Sequence, residues 1–141
     1  MATQLFVGTA GFGAEDPRTI LKLKLDHADG TLSVAGEPTT TGGENPGWVC
    51  VPPGMGTAFV GMEDEAGSIQ AYTIDAADPA KLTEVGNRVS SVGRHPCSLA
   101  VDASGKWLLA ANYSSGSIAV LPINDDGSLG RGEHTRTPPT P

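Results

Sequence analysis

The sequence predicts an all-β fold, and three observations support that prediction. Glycine and proline are frequent, with 19 and 11 of the 141 residues, which disfavours helical bundles and coiled coils. Short apolar runs are separated by turn dipeptides such as Asp29-Gly30 and Asp126-Gly127. A segment of roughly 50 residues also recurs along the chain, which is typical of propeller blades. Together these features indicate an incomplete β-propeller of about two and a half to three blades, each a four-stranded antiparallel sheet.

The repeat is clearest in the second half of the chain. Residues 46–62 align with residues 96–112, and after one deletion residues 67–75 align with residues 116–124. A partial third copy lies near the start, over residues 4–34. A β-sandwich can have strands at similar spacing, but it has no reason to repeat its sequence, so the propeller is favoured.

The repeat also predicts the blade boundaries. The whole of residues 1–141 is expected to form one partial propeller. Blade 1 covers about residues 4–44 and lacks its inner strand, blade 2 covers about 45–92, and blade 3 covers about 93–135 and is truncated. Residues 136–141 are predicted to be a proline-rich tail. The four strands of a blade are labelled A to D from the inside of the ring outward. Within blade 2 they are expected around residue 49 and over 58–61, 69–74 and 81–88.

Two local patterns support strands and tight turns in these units. Leu21, Leu23 and Leu25 alternate with Lys22 and Lys24, which is the period-2 pattern of a half-buried strand. The Asp-Gly dipeptides predict type I′ hairpin turns, because both residue types tolerate a positive φ.

Composition excludes several classes of function. Nine basic and sixteen acidic residues give a net charge of −7, which disfavours nucleic-acid binding. No apolar stretch is long enough for a membrane helix, and no secretory signal precedes the first glycine, so we expect a cytoplasmic protein. Cys50 and Cys97 are too few for a disulfide framework and are expected to be inert thiols in or near the core. No cofactor or metal motif is present.

Residues 92–120 resemble a central segment of the lactonase-type seven-bladed propellers, which include 6-phosphogluconolactonases and fungal carboxymuconate-lactonising enzymes. The matching motifs are Asp102-x-x-Gly105-Lys106, Ala111-Asn112-Tyr113 and Gly116-Ser117-Ile118. Gly8-Thr9, Asn45-Pro46 and Glu63 add weaker matches. The family's usual Cys-His pair reads Cys97-Ser98 here, with a histidine instead at position 95.

The resemblance implies a lactonase that hydrolyses a sugar (phospho)lactone such as 6-phosphogluconolactone in its full-length form. It also implies that this chain is an N-terminal fragment. Three alternatives remain open: a muconate-lactonising cycloisomerase, a non-catalytic propeller that binds a partner, and an inactive truncated remnant. The expected partner is a small-molecule lactone, and the open strand edges of an incomplete ring are expected to promote self-association.

Antiparallel connectivity predicts where the chemistry lies. The B–C and D–A loops share one face of the propeller, here called the near face, and the A–B and C–D turns share the opposite, far face. The near face collects the glycine-rich loop 9–13 and the polar residues Glu63, Arg94, His95, Asn112 and Tyr113.

Lactone hydrolysis needs an activated water and stabilisation of an oxyanion. Glu63 and His95 are therefore the candidate catalytic base and acid, and Arg94, Asn112 and Tyr113 are candidate substrate-binding donors. Each residue also has a purely structural interpretation: a solvated acidic loop for Glu63, a loop cap for His95, a surface charge for Arg94, and turn hydrogen bonds or packing for Asn112 and Tyr113.

Overall fold

The computed structural model describes residues 1–10, 18–42, 44–132 and 134–136. Over these residues the chain forms twelve strands in three antiparallel sheets and no helix. The all-β, incomplete-propeller prediction is thereby confirmed. Residues 11–13 of the glycine-rich loop and most of the predicted tail lie outside the described residues.

The first sheet has three strand positions. Strand β1 (Ala2–Gly8) pairs with β2 (Thr19–Asp26), and β2 pairs on its other side with β3 (Leu32–Val34) and then with β4 (Thr39–Thr40). The two short strands therefore share one outer position.

The second sheet has four strands in sequence order. They are β5 (Pro46–Cys50), β6 (Thr57–Met62), β7 (Ser68–Ile74) and β8 (Leu82–Ser90). The predicted A, B and C strands of this repeat correspond to β5, β6 and β7, whereas β8 extends two residues beyond the predicted end of strand D.

The third sheet repeats this order. It contains β9 (Pro96–Val101), β10 (Trp107–Asn112), β11 (Ser117–Pro122) and β12 (His134–Arg136). The inner strands β5 and β9 lie next to each other, as neighbouring blades of a propeller require.

The core consists of two layers, one on each side of the second sheet. Ile20 of the first sheet packs with Val60, Met62 and Tyr72, and these residues form the layer between the first two sheets. The layer between the second and third sheets contains Phe59, Ile69, Leu99, Leu108 and Leu121. Each large apolar side chain contributes about 1.5–3 kcal/mol when it is buried. Because β6 is buried on both faces, its sequence is continuously apolar rather than alternating.

Two glycines on equivalent strands lie close to the inner strand of the next sheet. A Cβ atom on Gly8 would overlap the carbonyl oxygen of Pro46, and one on Gly61 would lie 3.2 Å from the carbonyl oxygen of Pro96. The missing side chains therefore let each sheet contact the inner strand of the next one.

The leucine and lysine alternation lies in strand β2, as predicted, and its three leucines are half-buried. The most deeply buried residues of this pattern, however, include a lysine. Lys22 is buried and donates from Nζ to the carbonyl oxygen of Glu37 at 2.6 Å, whereas Leu21, Leu23 and Leu25 are half-buried on the opposite side of the strand. The side of β2 that faces the second sheet carries Ile20 and Lys22. Both sides of a propeller blade can be packed, so alternation alone does not identify the side that faces the core.

The turn type predicted for the Asp-Gly dipeptides was wrong. Gly30 and Gly127 have φ values of 75° and 84°, but the aspartates before them are not left-handed, as a type I′ turn would require. Instead, the Asp29 and Asp126 carboxylates accept hydrogen bonds from the backbone nitrogens two residues later, at 2.9 Å in both cases.

The predicted division into two faces follows from the strand directions. Strands β5, β7, β9 and β11 run from the near face to the far face, and their antiparallel neighbours return. The near-face loops of the last two sheets are therefore residues 63–67, 91–95 and 113–116.

Candidate active site

A series of backbone hydrogen bonds joins the near-face loops of successive sheets. The Glu63 nitrogen donates to the Asn45 carbonyl at 2.7 Å, and the His95 nitrogen donates to the Asp64 carbonyl at 2.9 Å. The Tyr113 nitrogen then donates to the His95 carbonyl at 2.9 Å. The segments that carry Glu63, His95 and Tyr113 are thus held to one another by the main chain, whatever their side chains do.

Glu63 directly follows β6 and is half-buried. Its carboxylate lies over the inner strand β5, because a Cβ atom on Gly47 would overlap Glu63 Oε2 and lie 3.2 Å from Cδ. Glu63 is therefore placed against the inner strand of its sheet rather than extended into solvent.

His95 precedes Pro96 and has an unusual backbone conformation. Its φ is 54°, which is rare for a residue other than glycine and costs about 1–3 kcal/mol. The His95 nitrogen donates to the Asp64 carbonyl and the His95 carbonyl accepts from the Tyr113 nitrogen, so the peptide groups before and after this residue are both held in place. The imidazole Nδ1 is buried and has no hydrogen-bond partner among the described residues.

Arg94 is exposed and points its guanidinium toward the acidic loop of the second sheet. Nη1 of Arg94 lies 3.3 Å from Oε2 of Glu65. Both side chains are more than half exposed, so this ion pair contributes little to stability and leaves the guanidinium accessible. The Arg94 backbone nitrogen donates to Ser115 Oγ at 3.1 Å, which fixes the loop that carries His95.

Asn112 lies behind this loop, with 3% of its surface exposed. Nδ2 donates to the carbonyl of Ser91 at 3.0 Å and contacts Ser117 Oγ at 3.3 Å, whereas Oδ1 is buried without a partner among the described residues. Gly93 packs directly on the amide, since a Cβ atom there would lie 2.5 Å from Asn112 Cγ. The amide nitrogen that sequence reasoning offered to a substrate is therefore engaged with the protein.

Tyr113 is the most exposed of the five predicted residues, at 78%. The structure thus brings Glu63, Arg94, His95 and Tyr113 to loops on the near face, and it places Asn112 beneath them. The roles of all five residues remain predictions.

Sequence reasoning placed Asn45, Asp64 and Ser115 on the near face, but it did not identify the hydrogen bonds that hold this arrangement together. The carbonyls of Asn45 and Asp64 accept the hydrogen bonds described above, and Ser91, Ser115 and Ser117 support the His95 loop. The repeat contained a signal for one of them. At the 50-residue offset Asn45 is equivalent to His95, and both carbonyls accept the bond from the residue after the second strand of their sheet.

The far face carries a groove of about 390 Å³ between the second and third sheets. It is lined mainly by turn residues, among them Ser104, Lys106 and Asn124. Much of the polar capacity of these turns is used internally: Asp102 accepts from Ser104 and Trp107, and Asn124 donates to Ser128. We therefore place the candidate site on the near face.

The two cysteines are free and half-buried. Burial raises the pKa of the Cys50 thiol, which disfavours the reactive thiolate. The Cys97 sulfur lies 3.7 Å from the carbonyl of Ala111. Within the described parts of the chain, no three His, Cys, Asp or Glu residues are grouped to hold a metal ion, and no helix is long and apolar enough to cross a membrane.

The sequence profile of the family described as "Lactonase, 7-bladed beta-propeller" matches residues 4–140. The chain therefore belongs to this lactonase family.

Two curated relatives and two solved structures are similar to the chain. It is 35% identical to a 6-phosphogluconolactonase of Bacillus subtilis, over 52% of this chain and 23% of the relative. It is 34% identical to a 6-phosphogluconolactonase of Pectobacterium atrosepticum, over 62% of this chain and 26% of the relative. The periplasmic gluconolactonase PpgL of Pseudomonas aeruginosa superposes with a TM-score of 0.84 and 28% identity, covering 96% of this chain and 39% of that one. A Lactobacillus plantarum protein gives a TM-score of 0.79 and 26% identity, covering 97% of this chain and 38% of that one.

The chain thus spans about a quarter of the length of the curated relatives it matches. Its three sheets superpose on part of a larger propeller.

Proposed function

We propose that this chain supplies part of the active site of a lactone hydrolase whose substrate is a sugar lactone, with 6-phosphogluconolactone as the first candidate. The observation that supports this proposal most directly is the backbone hydrogen bond from His95 to Asp64, which joins the loops of Glu63 and His95 on the near face of a lactonase-family propeller. Two relatives that are called 6-phosphogluconolactonases support the choice of substrate.

In the proposed reaction, the Glu63 carboxylate removes a proton from water as the water oxygen attacks the lactone carbonyl carbon. The Arg94 guanidinium and the Tyr113 hydroxyl donate to the oxyanion of the tetrahedral intermediate or to the substrate's own oxygens. The intermediate then collapses, the bond between the carbonyl carbon and the ring oxygen breaks, and His95 gives a proton to the departing oxygen. The product is the open-chain hydroxy acid. The proton that Glu63 took from water returns to His95 through solvent, which restores both side chains, and ionisation of the product carboxyl releases the acid that is titrated.

Asn112 takes an indirect part in this proposal. Its amide holds the Ser91 carbonyl at the start of the loop that ends at His95. We therefore assign it to positioning the acid, rather than to direct contact with the substrate.

We also expect a cytoplasmic location and self-association, and both remain proposals. The two free cysteines fit a reducing compartment, although the Pseudomonas relative is described as periplasmic. Trp107, Leu109 and Ile118 are exposed on the third sheet, and exposed apolar side chains of this kind favour association.

Turnover measured by pH-stat tests the proposed function. The chain should be assayed alone and in a version extended to a complete seven-bladed ring, with 6-phosphogluconolactone and gluconolactone as substrates. We expect Glu63→Gln or His95→Gln in the active form to lower kcat by about 10²-fold or more.

Two matched controls are available in the same chain. Glu84→Gln changes an exposed glutamate on β8, and His27→Gln changes an exposed histidine near the far face, so both should retain full turnover. Wild-type rates in Glu63→Gln and His95→Gln would remove the residue assignments. An inactive complete ring would remove the lactonase proposal itself.

A further inference from the structure

Gly47 occupies a β-bulge in the inner strand of the second sheet. Pro46 pairs with Met62 and Trp48 pairs with Gly61, so Gly47 is an extra residue opposite the end of β6. Bulges redirect side chains and are frequent beside active sites. Here the bulge lies immediately next to Glu63, and the Gly47 nitrogen donates to Asn45, the same carbonyl that accepts from the Glu63 nitrogen.

The space above Gly47 is filled by the Glu63 side chain. A Cβ atom at residue 47 would overlap Glu63 Oε2, lie 2.8 Å from Glu63 Cβ and lie 3.2 Å from Glu63 Cδ. Gly47 does not have a left-handed φ, so its backbone would accept alanine. The neighbouring glutamate, rather than the backbone conformation, is what requires glycine at this position.

The third sheet offers an internal comparison. Its inner strand also has a bulge, because Pro96 pairs with Asn112 and Ser98 pairs with Ala111, and the extra residue is Cys97. At the 50-residue offset Cys97 is equivalent to Gly47 and Tyr113 is equivalent to Glu63. In the third sheet the bulge residue carries a side chain, and Tyr113 at the end of the second strand is 78% exposed. In the second sheet the bulge residue carries none, and Glu63 at the end of the second strand is half-buried against the inner strand.

We propose that Gly47 is a positioning residue for Glu63. Because the bulge residue has no side chain, the Glu63 carboxylate can lie against the inner strand, and the glycine thereby sets the position of the candidate base. The inference rests on the proposed function, because the importance of this position for turnover depends on Glu63 acting as the base.

A stability cycle on the 141-residue chain tests the contact without any assay of activity. We expect Gly47→Ala to lower the midpoint of thermal unfolding by about 4 °C or more, because the new methyl group displaces Glu63. In the Glu63→Gly background, Gly47→Ala should cost little further stability, because the displaced atoms are gone. Additive losses would overturn the proposed contact.

Kinetics of the complete-ring version test the role in turnover. Gly47→Ala should lower kcat by about tenfold to a hundredfold with KM changed less than about twofold, since a misplaced base slows chemistry more than binding. In the Glu63→Gln background it should have no further effect. Cys97→Ala is the matched control, since it changes the equivalent bulge of the third sheet and should leave kcat intact.

The outcomes separate the two proposals. If Glu63→Gln abolishes turnover while Gly47→Ala retains full kcat, the positioning role is wrong and the proposed function stands. If the unmodified ring shows no turnover, the proposed function fails and the role of Gly47 in turnover fails with it. The stability cycle still decides whether the contact exists.

Discussion

At the scale of single residues, the candidate site is a set of constrained backbone positions. His95 is left-handed although it is not glycine, and Asn112 is buried beneath the loop with an Oδ1 that has no partner in the described part of the chain. Such features cost stability, and they persist where the surroundings hold the chain firmly. The backbone bonds of His95 to Asp64 and Tyr113 provide that restraint.

The strain at His95 can be measured by comparing two substitutions. We expect His95→Gly to be more stable than His95→Ala by about 1 kcal/mol, because glycine adopts φ of 54° without a Cβ penalty. Urea denaturation of both variants measures the difference. Equal stabilities, or a more stable alanine variant, would show that the left-handed conformation is absent in solution.

Sequence reasoning identified the residue types at the site better than it identified their surroundings. The repeat and the antiparallel connectivity placed Glu63 and His95 on near-face loops, because strand order determines where loops emerge. The burial of Asn112 and the positive φ of His95 depend on contacts with Ser91, Gly93 and Asp64, and no local pattern encodes these contacts. The roles assigned to the site residues still await the experiments described above.

At the scale of elements, the sequence predicts the positions of the strands better than it predicts which side of each strand faces the core. The repeat predicted β5, β6 and β7 closely, and the alternation correctly predicted a strand at β2. The alternation did not reveal that Lys22 is buried, because this lysine satisfies its charged end at a backbone carbonyl while its stem is buried. The far-face turns also formed where Asp-Gly dipeptides predicted them. The aspartate carboxylates accept hydrogen bonds in these turns, so protonation of the carboxylates should weaken the turns.

Four far-face aspartates should make the fold sensitive to acid. Hydrogen bonds hold the pKa of each carboxyl below its usual value of 3.8: chiefly from the Thr31 backbone to Asp29, from the Asp78 backbone to Asp75, from the Ser104 hydroxyl to Asp102, and from the Ser128 hydroxyl to Asp126. The unfolded chain binds these protons more readily than the folded chain does. Their stabilising contribution is therefore complete above pH 3.8 and is lost as the pH falls through the lower values of the folded state.

Substitution of one of these aspartates tests the prediction. Asp102→Asn should lower stability at pH 7 and flatten the loss of stability between about pH 4 and pH 2. Asp125→Asn is a control with the same change of charge in the neighbouring far-face turn. If Asp102→Asn and the parent chain lost stability equally between about pH 4 and pH 2, the assignment would be contradicted. Circular dichroism at a series of pH values measures both effects.

At the scale of the whole molecule, the two outer sheets each have an apolar side turned away from the second sheet. On the third sheet, Trp107, Leu109 and Ile118 are 48%, 38% and 44% exposed. Leu109 and Ile118 are equivalent in the repeat to Phe59 and Ile69, which are buried against the third sheet. The exposed side therefore has the chemistry of a contact between blades.

We expect the 141-residue chain to self-associate through this surface. Leu109→Lys combined with Ile118→Lys should shift sedimentation-velocity profiles toward the monomer, because lysine opposes apolar burial. Val51→Lys is the control, since Val51 is an exposed apolar residue in the turn after β5 of the second sheet. A parent chain that remains monomeric at all concentrations would contradict the expectation.

The single bond between the His95 nitrogen and the Asp64 carbonyl has a wider implication for how this architecture can evolve. It ties the candidate base and acid, which belong to different blades, to the angular pitch between those blades. That pitch depends in turn on the bulk of Phe59 and Leu99 in the layer between them. Conservative substitutions in this layer would therefore change the distance between the candidate base and the candidate acid. Substrate preference could then change without any substitution on the surface that contacts the substrate.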